Sequence, residues 1–586
     1  MEVGAGVAGL ISLSFTAFRG CIQAFEFFNT AQHIGATGDL FSSKLFFQQY
    51  RLLQWGLRAG LDEDSKPDER LNWTLALRLL GQLESFMTSA EKLKAKYGFN
   101  IVDEGLPESK RFDASNRRRT GIEKIIARLK PDIYTAKGKI IQGNSGTFKR
   151  LQWAAGGRDQ ANQIISEIGN LIDSLESLLD MQNQQLRRKT DAILLRDVIS
   201  RATTMEEVDE IKGILEQTTS ADDQAILAAA SLKHIRLVIG ADRRNDEVQT
   251  AHSKKVTESL PIITKLKPRK LEPYTHGTTL SFHGLEFALY DGGAVLVEWK
   301  IADRAIWSEL LDQVRCLAVL LASPDGSRSQ SLHCKGYLPW QEQDRYGLVY
   351  DIPNASPKDL PGYWGIKSLY ELILEEAHVS LTRRFEIATT LAETILQLHT
   401  AGWLHKSLRS QNIIFIAPKG STMEEYLLSQ PHLVGYEYAR PDTPNAAKFS
   451  QLPDTELIMD LYRHPQARGI SRERFQKRFD IYAFGCVLIE LALWTHVLDV
   501  HTKYRGSDLR MLIAEAMEAN QAMELPHFES SAALDKVVKA VAHHAGTIMA
   551  ETVQLSLLLQ KSPDDQFDVS LNTQQTIVDN LQQRRY

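Results

Sequence analysis

The spacing of apolar residues changes twice along this chain, and that change restricts the fold more than any other feature. Ile164, Ile165, Ile168, Leu171, Ile172, Leu175, Leu178 and Leu179 recur at steps of one and three, which lays a single apolar stripe along one helix face. Further stripes run from Leu45 to Trp55 and through Leu71, Leu75, Leu79, Leu83 and Phe86, separated by the turn-forming Asp62-Glu63-Asp64-Ser65-Lys66-Pro67. Helical spacing continues from Asp191 to Ile239, where Thr204 or Thr203 is placed to cap the acidic start Met205-Glu206-Glu207. Residues 1–240 therefore read as an all-α helical bundle closed by brace helices.

Between Gly240 and Pro273 the periodicity fades into polar and basic residues, including Lys265-Leu266-Lys267-Pro268-Arg269-Lys270, which predicts a linker over 241–275. Residues 285–290 and 294–300 are short β-prone runs around Asp291-Gly292-Gly293, a hairpin signal. A second strand pair is expected around 334–340 and 347–350, and helical stripes return from Leu381. The second part reads as a bilobal α+β fold over 276–586, with a sheet-rich lobe at about 276–352 and a larger helical lobe at about 353–586.

Composition sets the class. At 586 residues the chain is several times the roughly 100–200 residues of a domain, so it is multidomain. With 43% apolar and 24% charged residues it is not a disordered, collagen-like or polytopic membrane chain. The 68 basic against 73 acidic residues leave no global basic field, so no nucleic-acid partner is expected. Cys21, Cys316, Cys334 and Cys486 form no CxxC pair, which argues against disulfide and zinc frameworks and for a reducing cytoplasm. His543-His544 lack further ligands at metal spacing, and no metal site is expected.

Residues 3–18, VGAGVAGLISLSFTAF, carry no charge, and Glu2 stands where a secretory signal would have Lys or Arg. A helix of those residues would be about 24 Å long, short of the roughly 30 Å hydrocarbon core. The run suits either the first helix of a bundle or a helix that leaves the bundle for lipid. Gly4-Ala5-Gly6-Val7-Ala8-Gly9 is a literal GxGxxG, but no strand can precede it, which removes the dinucleotide reading.

Several motifs of the second part resemble, in order, those of protein kinases. Val297-Glu298-Trp299-Lys300 is similar to the VAIK strand, whose lysine pairs with nucleotide phosphates. Leu348-Val349-Tyr350-Asp351 resembles the hinge, and Ser368-Leu369-Tyr370-Glu371-Leu372-Ile373 the helix after it. Leu404-His405-Lys406-Ser407-Leu408-Arg409-Ser410-Gln411-Asn412 fits H-R-D-L-x-x-x-N with two departures, and Asp480-Ile481-Tyr482-Ala483-Phe484-Gly485 resembles the helix whose buried aspartate braces that loop. The resemblance implies a protein-kinase-like fold over 276–586.

It does not imply activity, because phosphoryl transfer needs particular carboxylates rather than a fold. Ser407 occupies the position of the catalytic aspartate, and Gly435, in Leu433-Val434-Gly435-Tyr436-Glu437, that of the metal-binding one. Gln313 aligns with the lysine's glutamate partner, although Glu309 and Asp312 stand close by. No catalytic residue is expected, and the reading is a pseudokinase. Lys300 and Asn412 survive as nucleotide-binding candidates, which leaves ATP binding without hydrolysis open, although no cofactor is expected. His405 and Asp480 are read as structural supports.

Cys21-Ile22-Gln23-Ala24-Phe25-Glu26-Phe27-Phe28, Leu52-Leu53-Gln54-Trp55-Gly56 and Phe148-Lys149-Arg150-Leu151-Gln152-Trp153, followed by the long striped helix, resemble the fungal HeLo domain. This is the prion-inhibition and propagation domain of heterokaryon-incompatibility proteins, and the resemblance covers about residues 1–200. In that family the bundle keeps its N-terminal segment folded until an activating event frees it for the membrane. The resemblance implies a membrane-active segment containing Gly4, Gly6, Gly9, Leu10, Ile11, Phe15 and Phe18, whose small residues would permit close helix contact in an assembled pore. Lys110, Arg111, Arg117, Arg118, Arg119, Lys124, Arg128 and Lys130 form a cationic run that would either meet anionic headgroups, at up to about 1 kcal/mol each, or remain a solvated face.

The layout also resembles that of mixed-lineage kinase-like cell-death executioners. Residues 566–586 hold no repeated amyloid motif, so triggering by templated aggregation is not expected. The expected function is that of a fungal regulated cell-death or heterokaryon-incompatibility protein, a membrane-perturbing bundle controlled by a degenerate kinase-like domain. It would be cytoplasmic, recruited to the plasma membrane and self-associating on activation by a protein partner that the sequence does not identify. The alternatives are a non-lytic signalling scaffold and an atypical active kinase.

Overall fold

Helix α1 (Glu2–Asn29) is 28 residues long, well past the sixteen uncharged ones. Arg19 interrupts the apolar run but not the helix. Its guanidinium lies 5.3 Å from the centre of the Phe15 ring, and the buried stripe continues beneath it through Cys21, Ile22 and Phe25.

The computed structural model describes residues 2–29, 36–61, 66–68, 70–89, 99–102, 150–153, 158–179, 181–215, 221–242, 264–273, 284–302, 304, 307–322, 332–355, 361–375, 377–442, 457–469, 472–505, 508–518, 523, 525–528, 531–559 and 569–583. The cationic run 110–130 lies outside the described residues. The chain divides into two compact units, Met1–Leu227 and Ala228–Tyr586.

In the first unit α1 packs on α2 (Ala36–Ala59) and α3 (Trp73–Thr88). Phe18 meets Trp55 at 6.4 Å between ring centroids, and the Cys21 thiol donates to the Leu80 carbonyl at 3.3 Å. The stripe read from sequence is the inner face of α4 (Arg158–Glu176), where Ile164, Ile165, Ile168, Ile172 and Leu175 are buried. Arg51 of α2 ties that helix down by pairing with Asp173 and with Glu176, the latter at 2.7 Å. Helices α5 (Met181–Arg201), α6 (Met205–Leu215) and α7 (Ala221–Asp242) follow. Thr204 caps α6 by accepting from the Glu207 N–H at 3.3 Å, while the Glu207 carboxylate accepts from the Thr203 N–H at 2.8 Å. The all-α expectation needs one correction. Phe99–Val102 (β1) and Arg150–Trp153 (β2) pair antiparallel, because short β-prone runs such as Phe99-Asn100-Ile101-Val102 carry too few residues for helical spacing to show.

In the second unit a six-stranded sheet has the order β3-β7-β8-β6-β5-β4. The strands are β3 (Thr264–Lys265), β4 (Leu271–Pro273), β5 (Leu285–Tyr290), β6 (Gly293–Ile301), β7 (Cys334–Trp340) and β8 (Arg345–Asp351), with helix α8 (Trp307–Ala322) between β6 and β7. The Asp-Gly signal is realised: Asp291 and Gly292 have φ of 54° and 82°, the left-handed pair that a tight hairpin turn requires. The stretch expected as linker is partly sheet. β3 pairs parallel with β7 at one edge, and β4 pairs antiparallel with β5 at the other. The strap 266–270 between them joins the two edges of the sheet. Its Leu266 and the adjoining Leu271 bury against Val295, Val297, Leu338 and Val349 on the outer face of the sheet. Two leucines among lysines are enough to turn this apparent linker into a cover, and at about 1.5–3 kcal/mol each their burial holds it there.

The remaining elements form a helical lobe. Strand β9 (Trp364–Ser368) leads into α9 (Leu369–Leu374), capped by Ser368 and Glu371, and α10 (Leu381–Thr400) leads into β10 (Trp403–Leu404). Then come β11 (Ile413–Pro418), α11 (Met423–Leu428), β12 (His432–Leu433), β13 (Arg440–Pro441) and α12 (Leu457–Asp460). At the centre lies α13 (Lys477–Leu493), buried on every side, with α14 (Val497–Arg505), α15 (Leu509–Glu518), α16 (Ser531–Ala545), α17 (Thr547–Leu557) and α18 (Val569–Gln582) in sequence after it. The second half of α7 belongs to this unit. Leu232 joins its core, and Arg236 donates to the carbonyls of Ala401 and Gly402 at 3.3 and 3.0 Å.

Candidate functional site

The loop 405–412 hangs on one buried carboxylate. Asp480, in the first turn of α13, accepts from the backbone N–H groups of His405 and Lys406 at 2.9 and 2.8 Å and lies 3.1 Å from Nε2 of His399. The other ring nitrogen of His399 is 2.9 Å from Oε1 of Gln574, so α10, α13 and α18 fix the loop together. Fully buried carboxylates persist only with such partners.

His405 is buried with its ring edge-on to Tyr436, 4.8 Å between centroids, and its Nδ1 accepts from the Ser407 N–H at 3.3 Å. Burial, only partly opposed by Asp480, holds its pKa down to about 4, so the imidazole is neutral at neutral pH. Lys406 takes a φ of 71° and is buried near Phe475. Desolvation, followed by the positive charges of Arg440 and Lys300, lowers its pKa to about 7.

Ser407 and Asn412 are joined across the loop. The Asn412 amide donates to the carbonyl and hydroxyl oxygens of Ser407 at 2.6 and 3.0 Å, and the Val434 N–H donates to the Asn412 carbonyl at 2.9 Å. Gly435 follows with φ of 83°, and a Cβ there would lie 2.1 Å from Nδ2 of Asn412. The room that a carboxylate at 435 would need is filled by the Asn412 amide. A serine hydroxyl is far too weakly basic to accept a proton as a carboxylate would. Among the described residues no group of three or more His, Cys, Asp or Glu side chains is arranged to hold a metal ion.

Lys300 and Gln313 line one cavity between β6 and α8, together with Glu298, Tyr346, Leu348 and Tyr436. The side chains of Glu309 and Asp312 lie outside the described residues. Sequence reading passed over Glu298. It is 2% exposed, accepts from the Tyr350 hydroxyl at 2.9 Å and from the Tyr436 N–H at 2.7 Å, and so joins the sheet to the turn after Gly435. Strand alternation carried a signal for it. Residues 296, 298 and 300 share a face, so a carboxylate two positions before Lys300 had to point inward.

In the first unit the suggested membrane-active residues divide. Gly9 is exposed, with nothing within 4 Å of a Cβ placed there, and Leu13 beside them is 57% exposed. Leu10, Ile11 and Phe15 are half-buried, whereas Phe18 is 1% exposed. Gly4 and Gly6 lie in α1, but their surroundings are outside the description. Among the described residues no single helix is long and apolar enough to cross a membrane. A pair bent by 79°, Lys477–Leu493 with Val497–Tyr504, passes by composition, but its first helix is the buried centre of the second unit.

Comparison with known proteins bears on the first part. Residues 6–213 match the HeLo family model, described as prion-inhibition and propagation. The match covers the bundle from α1 to α6. The chain is also similar to Kinase suppressor of Ras A of Caenorhabditis elegans, at 22% identity over 147 residues, which is 25% of this chain. It spans 18% of the length of that relative.

Proposed function

We propose that this chain is a regulated cell-death protein of the heterokaryon-incompatibility type, in which the HeLo bundle perturbs membranes and a catalytically degenerate kinase-like unit controls it. The observation that carries the reading is the first helix of a HeLo-matching bundle, which is buried at Ser14 yet leaves Gly9, Ser12 and Leu13 exposed. Its C-terminal half is buried at Ala17, Phe18, Cys21, Ile22 and Phe25, while Gly9 and Leu13 face outward. Twenty-eight residues extend about 42 Å, so length does not prevent insertion. The obstacle is composition. Arg19 and the polar Ser12, Ser14, Thr16 and Gln23 favour a self-associated form in which these groups face one another rather than lipid.

The kinase-like reading of the second unit rests on the sheet and helical lobe, on Asp480 bracing the 405–412 loop, and on the similarity to Kinase suppressor of Ras A. Ser407 and Gly435 argue against phosphoryl transfer, so control is exerted by binding rather than by catalysis. The protein acts from the cytoplasm, is triggered by a protein partner or a modification, and reaches an anionic membrane surface on release.

Dye leakage from anionic vesicles tests this reading. Residues 1–242 should cause leakage, the full chain should not, and Leu13→Glu in the fragment should abolish it. Equal leakage by fragment and full chain, or none by either, refutes it. The buried half of α1 favours a second reading, a non-lytic scaffold whose first helix never leaves the bundle. Unchanged slow hydrogen exchange across 3–18 when the fragment meets vesicles would decide for that alternative.

A further inference from the structure

The cavity beside Lys300 already contains a ligand-like group, the carboxylate of Glu298. Its position is set by backbone alternation. Leu296, Glu298 and Lys300 face inward from β6, while Val295, Val297 and Trp299 face the strap. One carboxylate oxygen accepts from the Tyr350 hydroxyl on β8, the strand beside β6. The other accepts from the backbone N–H of Tyr436, 138 residues further along the chain. The Tyr436 ring in turn meets His405, whose own N–H is held by Asp480. A continuous series of contacts thus runs from the sheet through Glu298 to the loop 405–412.

Two features make this contact specific. Tyr350 is fully buried, and burial, reinforced by the Glu298 charge, pushes its phenol well above the usual range, so it remains a hydrogen-bond donor at any working pH. A carboxylate 2% exposed is costly unless it accepts such bonds, which means that Glu298 holds its two donors as firmly as they hold it.

We infer that Glu298 is a built-in occupant of the cleft, which ties the sheet to the turn at 434–439 and shuts the cleft against nucleotide. The inference borrows from the proposed function only the expectation that nucleotide is the ligand to be excluded. The tie itself stands on the three contacting groups.

The test uses the full chain in four forms, wild type, Glu298→Ala, Glu298→Gln and Tyr350→Phe, with hydrogen exchange at the Tyr436 amide and binding of a fluorescent ATP analogue without added metal. Wild type should protect the amide and bind no analogue. Glu298→Ala should speed exchange at Tyr436 by about tenfold or more and admit the analogue, and added formate should restore protection by supplying the missing carboxylate. Glu298→Gln, whose single amide oxygen can accept from only one of the two donors, should speed exchange by less than Glu298→Ala. Should Glu298→Ala fail to fold, Tyr350→Phe removes only one donor and should speed exchange by a few-fold. Unchanged protection in the folded variants overturns the tie, and analogue binding to wild type as tight as to Glu298→Ala overturns the exclusion. Neither result bears on vesicle leakage, so failure here is distinguishable from failure of the proposed function.

Discussion

Adding one methyl group at Gly435 should measurably weaken the second unit, and the cost can be built up from the geometry. With φ at 83°, any L-residue there enters the left-handed region, at about 1–2 kcal/mol. Its Cβ would stand 2.1 Å from Nδ2 and 2.4 Å from Cγ of Asn412, whose side chain is fully buried and must therefore move. Moving it breaks the two bonds to Ser407, each worth about 1 kcal/mol net. Gly435→Ala should thus cost about 3–4 kcal/mol, read from a urea titration of hydrogen exchange in α13. Asn412→Ala should cost about 2 kcal/mol, and the double variant less than the sum by about 2 kcal/mol, because the smaller side chain leaves nothing to displace. Additive effects, or a loss below about 1 kcal/mol for Gly435→Ala, would show that Asn412 does not fill this position. Gly435→Asp carries the same Cβ, so restoring the carboxylate expected of a kinase should destabilise the unit rather than build a metal site.

Lys406 should make the second unit more stable in alkali. Its folded pKa of about 7 lies below the ordinary 10.5, so between those values the unfolded chain holds the extra proton and stability rises with pH, at up to about 1.4 kcal/mol per unit. Lys406→Met should abolish that rise and be the more stable form below pH 7, and identical slopes for the two proteins from pH 7 to 10 would refute the assignment. In the first unit Phe18→Ala should cost about 3–5 kcal/mol, whereas Leu13→Ser should fall within about 0.5 kcal/mol of wild type. Thermal unfolding of the two variants checks the contrast, and equal losses would mean that Leu13 is packed rather than exposed.

What the sequence disclosed and what it concealed differ by the range of the interaction. The stripe from Ile164 to Leu179, the Asp291-Gly292 turn and the Thr204 cap are local, each encoded within a few residues of where it acts. The loop 405–412 was legible because its spacing is fixed, and Asp480, 74 residues from Lys406, was legible as its brace only through the resemblance to kinase motifs. The strap was concealed because Leu266 and Leu271 are too few to set a period. They matter only once β3 has paired with β7 and β4 with β5, which draws the strap across the sheet. Glu298 was concealed for a different reason. Strand alternation turns it inward with Lys300, but its partner Tyr436 lies 138 residues away and nothing local points to it. The same limit governs α1. Arg19 ends the uncharged run and so shortens the helix on paper, but the packing of Cys21, Ile22 and Phe25 carries the helix on to Asn29. The exposed Gly9 and Leu13 therefore belong to a helix anchored along its length, and freeing it requires undoing contacts at Ser14, Phe18 and beyond rather than releasing a loose end.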